Sequence, residues 1–190
     1  MNAVQPIRDK EKIQEILRFL YEWDYKYYIM FLFSIRSGLR IGDVLKLQVK
    51  DIREADGRIK THIVTKEKKT SKRKRIKLHR ELRKALNLYV ESKDDEAYLV
   101  QSNKKNKFKE RKPISRQRAW EVMKKAADFV GLSEIGCHSC RKSFGYSYYQ
   151  QTKDIALLMY LFNHSKEEIT LRYIGITDDM MDKAFDSIDY

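Results

Sequence analysis

Apolar residues recur at helical spacing in the first third of the chain. After Asp9, the positions Ile13, Ile16, Leu17 and Leu20 lie three and four apart, which predicts an amphipathic helix. The apolar and aromatic run over 25–35 has no breaker before Gly38 and predicts a second helix packed on the first. A short helical segment is expected after Gly42, with Val44, Leu45 and Leu47 turned inward. The period then changes: residues 59–65 are rich in β-branched side chains and read as a strand, and 75–78 as its partner, joined by a basic turn. Helices are expected over 80–91, 115–130, 138–151 and 152–161, with Ser115 as N-cap and Gly131 as C-cap of the second of these. Residues 97–101 are expected to add a third strand. Ser165-Lys166-Glu167-Glu168 has capping-box spacing and predicts a short helix carrying Leu171, Arg172 and Tyr173. A last helix, started by Thr177, gathers Met180, Met181, Ala184, Phe185 and Ile188 on its apolar side.

The expected fold is α+β: one mainly α-helical domain over 1–190 with a small antiparallel three-stranded sheet. Within it, 1–8 read as a linker-like start and 177–190 as an amphipathic acidic helix. A chain of 190 residues with 42% hydrophobic residues can bury a core without disulfide or metal staples. Seven Gly and two Pro exclude a collagen-like or linker-like composition.

Charge changes the picture more than size does. Forty Lys and Arg against 27 Asp and Glu leave a net charge of +13, which favours polyanionic partners, nucleic acid first and an anionic membrane surface second. Eight of the twelve residues over 66–77 are basic, and eight more basic residues lie over 104–118. The segment 178–190 is the opposite, with five Asp against Lys183. The basic body therefore faces the polyanion, and the acidic end goes elsewhere. The longest strongly apolar run, 29–35, is far short of the ~20 residues of a membrane span, and no signal-like start precedes it. The chain is read as soluble and unexported, and its two cysteines fit a reducing cytoplasm.

Most familiar chemistries lack their signals. The four histidines, His62, His79, His138 and His164, show no metal-ligand spacing. Cys137-His138-Ser139-Cys140 reads C-x-x-C but has no second ligand pair and no thioredoxin-like strand before it, which favours packed thiols over a zinc or redox site. Nucleotide, dinucleotide and α/β-hydrolase motifs are absent. His138 and Arg141 share a face at the start of a predicted helix, where backbone amides also favour an anion. Arg40 stands between two glycines, with Asp43 three residues on.

Together these positions resemble a known family. The stretch Ser37-Gly38-Leu39-Arg40-Ile41-Gly42-Asp43-Val44-Leu45-Lys46-Leu47, closing with Lys50-Asp51-Ile52, is similar to the first box of the tyrosine recombinases, or phage integrase family. His138-Ser139-Cys140-Arg141 resembles the second box, and Asn163-His164-Ser165 followed by Thr170-Leu171-Arg172-Tyr173 resembles its end, with the Tyr nine residues after the His. The resemblance implies Arg40 and Arg141 as the pair that clamps a scissile phosphate and Tyr173 as nucleophile. It implies His138 as proton acceptor or positioning group and His164 as donor to a non-bridging oxygen. Lys69, in Lys69-Thr70-Ser71 of the hairpin turn, is implied as general acid on the leaving 5′ oxygen. Lys66, Lys68 and Lys72 crowd it, and with Arg73, Lys74 and Arg116 they are the expected DNA contacts. Two positions depart from the family pattern: Lys142 follows the second-box Arg where His is common, and Asn163 stands where Gly usually precedes the His.

The implied activity is integrase-type site-specific DNA recombination by transesterification through a covalent 3′-phosphotyrosyl intermediate. Fixed cations suit this reaction because the pentacoordinate transition state adds negative charge to the phosphate oxygens. The implied partners are double-stranded DNA and further copies of the chain. The protein is expected to be a monomer in isolation and a homo-tetramer on DNA through the C-terminal helix. No cofactor, metal or membrane is expected. The chain resembles the catalytic domain alone, with no N-terminal core-binding domain before Arg40. Two other readings stay open: a catalytically silent DNA-binding protein of the same fold, and a topoisomerase-like nicking and closing enzyme.

Overall fold

The computed structural model describes residues 4–66, 73–103 and 111–188, Lys66 by its backbone alone. α1 (Lys10–Trp23) starts where the apolar period predicts it, because the Asp9 carboxylate accepts from the Glu11 and Lys12 amides that a first helical turn leaves unpaired. Asp24 does the same for α2 (Tyr25–Ser37), taking the Lys26 amide at 3.0 Å. Residues 29–35 of α2 are all buried, so this helix is central, with α1, α5 and α7 packed around it. Two single-turn helices follow, α3 (Ile41–Val44) and the unpredicted α4 (Val49–Ile52).

β1 (His62–Lys66) and β2 (Arg73–Lys77) pair antiparallel, with Ile63 opposite Ile76 and Val64 opposite Arg75. α5 (Arg80–Val90) leads away from the hairpin. α6 (Arg116–Phe129) is capped as expected by the Ser115 hydroxyl, which accepts the Arg118 amide at 3.0 Å. α7 (Ser139–Thr152), α8 (Ile155–Phe162), α9 (Glu167–Ile174) and α10 (Ile176–Asp186) complete the order. Among the described residues no helix is long and apolar enough to cross a membrane.

The expected third strand does not form; among the described residues the sheet has two strands. Residues 97–101 make isolated bridges instead, Tyr98 with Gln48 and Gln101 with Pro113. Their buried side chains, Leu99 and Val100, anchor the segment in the core beside residues 47–49, away from the hairpin. Pro113 has no amide to extend a ladder at the second bridge. The Ser165 capping box is also absent. α9 begins at Glu167 after Lys166, without a side-chain cap, and Glu167 and Glu168 lie in its first turn, where negative charge suits the helix dipole.

The buried residues form two clusters. The larger is built from α1 to α7 and the segments between them; the smaller, Leu158, Phe162, Ile174 and Ile176, lies under α7 to α10 and takes Phe144 and Tyr173 against it. The opening residues, read as linker-like, pack at this junction: Ile7 is buried, and its amide donates to Ser143 Oγ at 2.7 Å.

Gly145 lets α7 approach α8 and α9 closely. A Cβ at this position would meet Ile174 Cγ2 and Phe162 Cε2, each at 2.7 Å, and both belong to well-packed cluster residues. Gly145→Ala is expected to destabilise the protein by about 1–3 kcal/mol, the usual cost of forcing one extra carbon into a packed core. Urea denaturation checks this, and an unchanged midpoint would show that α9 can move aside freely.

Candidate active site

Arg141 lies in the first turn of α7, 4% exposed, where the two clusters meet. Its Nη1 donates to the Gly38 carbonyl at 2.6 Å and its Nη2 to the Phe162 carbonyl at 3.4 Å, while the guanidinium sits 4.4 Å from the centre of the Phe162 ring. Gly38 ends α2 in the left-handed region at φ +64, with Phe144 2.5 Å from where a Cβ would sit. Only glycine fits there, so the first-box glycine has a structural reason.

Asn163 ends α8 with φ 57 and ψ 48. Asn tolerates this left-handed turn, which explains how it replaces the usual glycine. The turn is closed by the His164 amide on the Met159 carbonyl at 2.9 Å. It delivers the His164 ring to α9, where Nδ1 lies 3.0 Å from Thr170 Oγ1. Thr170 and Tyr173 are three apart on that helix and share a face, so His164 meets both. The His164 and Tyr173 rings are edge to face at 5.2 Å, and Phe162 meets Tyr173 in the same way at 5.4 Å. Arg141 interacts electrostatically with the Tyr173 phenol and favours its ionised form.

Charge at this place is cationic. Burial raises the Tyr173 pKa, opposed by Arg141 and Arg40. Burial lowers His138, reinforced by Arg116, Arg141, Arg40 and Lys142. Burial also lowers His164, reinforced by Arg141, Arg40 and Lys74. His138 precedes α7 without a side-chain cap bond, exposed to solvent with these cations around it. Both imidazoles are therefore neutral near pH 7.

The fold thus brings Arg40, His138, Arg141, His164 and Tyr173 together. Arg116 joins them from the start of α6, its Cδ 4.0 Å from where a Cβ on Gly42 would sit. Lys68, Lys69 and Lys72 lie outside the described residues, and Lys66 is placed only by its backbone, opposite Arg73. Arg73 is exposed on β2. Lys74, expected as a DNA contact, turns its Nζ to the carbonyls of Leu161 and Tyr160 and so ties the hairpin to the end of α8. A cleft of about 330 Å³ opens there, lined by Gly38, Lys74, Arg75, Arg141, Tyr160 and Phe162.

The sequence reading missed three contributors: Phe162 beneath Arg141 and Tyr173, Thr170 on His164, and Lys142, whose Nζ lies over the Tyr173 ring at 5.3 Å from its centre. Thr170 carried a signal, since it is one helical turn before the tyrosine. Cys137 and Cys140 are packed thiols whose pKa values burial raises.

Because the unfolded chain binds protons at His138 and His164 more readily than the folded one, protonation favours unfolding. Their contribution is complete above the ordinary His value of 6.5 and is lost as pH falls through the lower folded values. The urea midpoint is expected to drop between about pH 6.5 and 5, less steeply in a His138→Gln/His164→Gln double variant. Parallel curves for the two proteins would count against this.

Residues 8–180 match the sequence profile of the phage integrase family. The chain is 43% identical over 185 residues to the probable integrase/recombinase YoeC of Bacillus subtilis (strain 168), covering 97% of each. It is 23% identical over 176 residues to the tyrosine recombinase XerA of Thermococcus onnurineus (strain NA1), spanning 92% of this chain but 60% of that one. Its fold is similar to that of a XerA recombinase crystal structure (TM-score 0.72, 16% identity, all of this chain, 68% of the other). It is also similar to XerH recombinase bound to palindromic difH substrate in a post-cleavage complex (TM-score 0.68, 17% identity, 98% of this chain, 54% of the other). A lambda integrase tetramer bound to a Holliday junction matches 91% of this chain and 49% of its own (TM-score 0.64, 15% identity).

Proposed function

The chain belongs to the phage integrase family of tyrosine recombinases, enzymes that break and rejoin DNA, and on that premise we propose that it is a site-specific recombinase acting through Tyr173. The observation that carries this reading is Tyr173 packed against Phe162 and His164 beside buried Arg141, with Arg40 and His138 close to the same guanidinium. Residues 8–180 act as the catalytic unit.

In the first step the Tyr173 oxygen attacks the scissile phosphorus. A Tyr–O–P bond forms, the bond from phosphorus to the 5′ oxygen breaks, and a 3′-phosphotyrosyl ester remains. His138, kept neutral by burial and its cationic neighbours, takes the phenol proton. Lys69, from the hairpin turn, gives a proton to the departing 5′ oxygen. Arg40 and Arg141 hold the non-bridging oxygens and stabilise the charge that grows on them. Thr170 Oγ1, 3.0 Å from Nδ1, orients the His164 ring, and in the tautomer with its proton on Nε2 His164 donates to the same phosphate. Attack by another 5′ hydroxyl reverses the step, rejoins the strand and returns the proton to Tyr173. Bond energy is conserved in the ester, so no nucleotide is consumed.

Lys66, Lys68, Lys72, Arg73, Lys74 and Arg116 supply phosphate contacts on duplex DNA, with Lys74 also bracing α8. Tetramer assembly on DNA uses α10. Its Met180, Met181 and Phe185 are 62%, 50% and 74% exposed, an apolar face unusual for a monomer's surface.

Incubation with a library of nicked duplexes, trapping with SDS and mass spectrometry of the DNA-linked peptide is expected to find an adduct at Tyr173 that is lost in Tyr173→Phe. Salt-dependent binding without an adduct would leave a DNA-binding protein. Exchange between two recovered duplexes separates recombination from nicking and closing. Met180→Glu/Phe185→Glu is expected to stop assembly on DNA while leaving the folded monomer and its urea midpoint unchanged, because both side chains are already exposed. A fall in the midpoint would mean that this face is covered within the monomer.

A further inference from the structure

Lys142 is the residue after Arg141, and half-buried. One position along α7 from Arg141, its ammonium lies over the Tyr173 ring, 5.3 Å from the ring centre. Phe162 and His164 meet that ring at 5.4 and 5.2 Å, both edge to face. The phenol is thus boxed by an aromatic ring, an imidazole and a cation. Half-burying an ammonium is costly unless something compensates it. Here the compensation comes from the π-face of Tyr173 and from Asp178, in the first turn of α10.

We propose that Lys142 is a positioning residue for the nucleophile, holding the Tyr173 ring by its π-face so that the hydroxyl stays directed at the Arg141 site. This rests on the reading of Tyr173 as nucleophile, and no family role for the residue after the second-box Arg is needed for it. A phenol turned about χ1 or χ2 would carry its oxygen away from Arg141 even with α9 in place. Phe162 and His164 also pack on the ring, and the cation adds a restraint on its π-face that raises the share of time in which the oxygen is in line. Asp178 has a further part, since its charge favours the ammonium form of Lys142, against burial and Arg8. Histidine at this position could supply an edge and a hydrogen bond; lysine supplies a full positive charge on a long stem.

The test compares the parent chain with Lys142→Arg, which keeps the cation, and Lys142→Met, which keeps the stem. With 3-fluorotyrosine placed at position 173 of the free full-length chain, the parent and the Arg variant are expected to show one dominant ¹⁹F resonance. The Met variant is expected to show two, or one broadened by ring flipping. In the adduct assay at saturating DNA, Lys142→Met is expected to slow adduct formation about tenfold with DNA affinity held within about twofold, and Lys142→Arg to restore the rate. An unchanged ¹⁹F spectrum in Lys142→Met overturns the proposal. So does a loss confined to DNA affinity, which makes Lys142 a phosphate contact. Should the Met variant not fold by circular dichroism, Lys142→Gln carries the same comparison. A parent chain that forms no adduct overturns the recombinase reading alone, because the ¹⁹F comparison needs no DNA.

Discussion

The buried guanidinium of Arg141 is the joint on which the arrangement depends. It receives one carbonyl from the end of α2, in the larger core, and one from the end of α8, in the smaller. Its flat face rests on Phe162, and its charge acts on the Tyr173 phenol packed against the same ring. A buried charge is costly when unsatisfied, so this geometry is tightly specified: both carbonyls must point at one place, and only a planar fork reaches both at once. Lysine at this position would keep the charge but could not hold the two clusters in one register. The group that would bind a phosphate is therefore also the group that fixes the distance between the first-box turn and the tyrosine helix.

Around that joint, local backbone geometry does the placing. Gly38, Asn163 and Gly175 each take a left-handed conformation at a helix end, and each marks a turn beside the site. The turn at Asn163 folds α9 back along α8, which sets His164 against Thr170 and Tyr173. Gly145 then removes the side chain that would keep α7 from the other two helices. The nine-residue separation of His164 and Tyr173 is thus the length of one such turn plus two turns of helix, so that the two rings meet edge to face.

Much of this was legible in the chain. Helix positions followed from apolar period and from caps such as Asp9 and Ser115, whose hydrogen bonds are local and hence readable from neighbours in sequence. The charged and aromatic site positions were legible through motif spacing, since one fold holds them in one order. What failed was non-local. Residues 97–101 have strand composition, yet their partners are the 47–49 segment and Pro113, and neither is set by the residues themselves. The capping box at Ser165 is missing because α9 starts at Glu167 with Lys166, not Ser165, at the cap position. Lys74 looked like one more cation in a basic run, and its bond to α8 depends on where the hairpin lies. Lys142 stood out only as a departure from pattern, with nothing in its neighbours to show that a tyrosine ring would lie beneath it.

Electrostatics explains why such a site persists despite its cost. Arg40, Arg116, Arg141 and Lys142 all depress the His138 pKa, which means that they also repel one another in the folded chain. Burial adds to this by raising the Tyr173 pKa, so the phenol keeps its proton in the free protein even with two arginines beside it. In the proposed reaction both penalties are relieved together. A phosphate entering the cluster gives the cations a counter-charge, and attack consumes the phenol proton that the neutral His138 is placed to accept. Stability given up in the free protein is recovered only when a phosphodiester occupies the site, and more so as charge builds in the transition state. In the proposed reaction the cations that repel one another in the resting fold favour the transition state, while Arg141 also joins the two clusters.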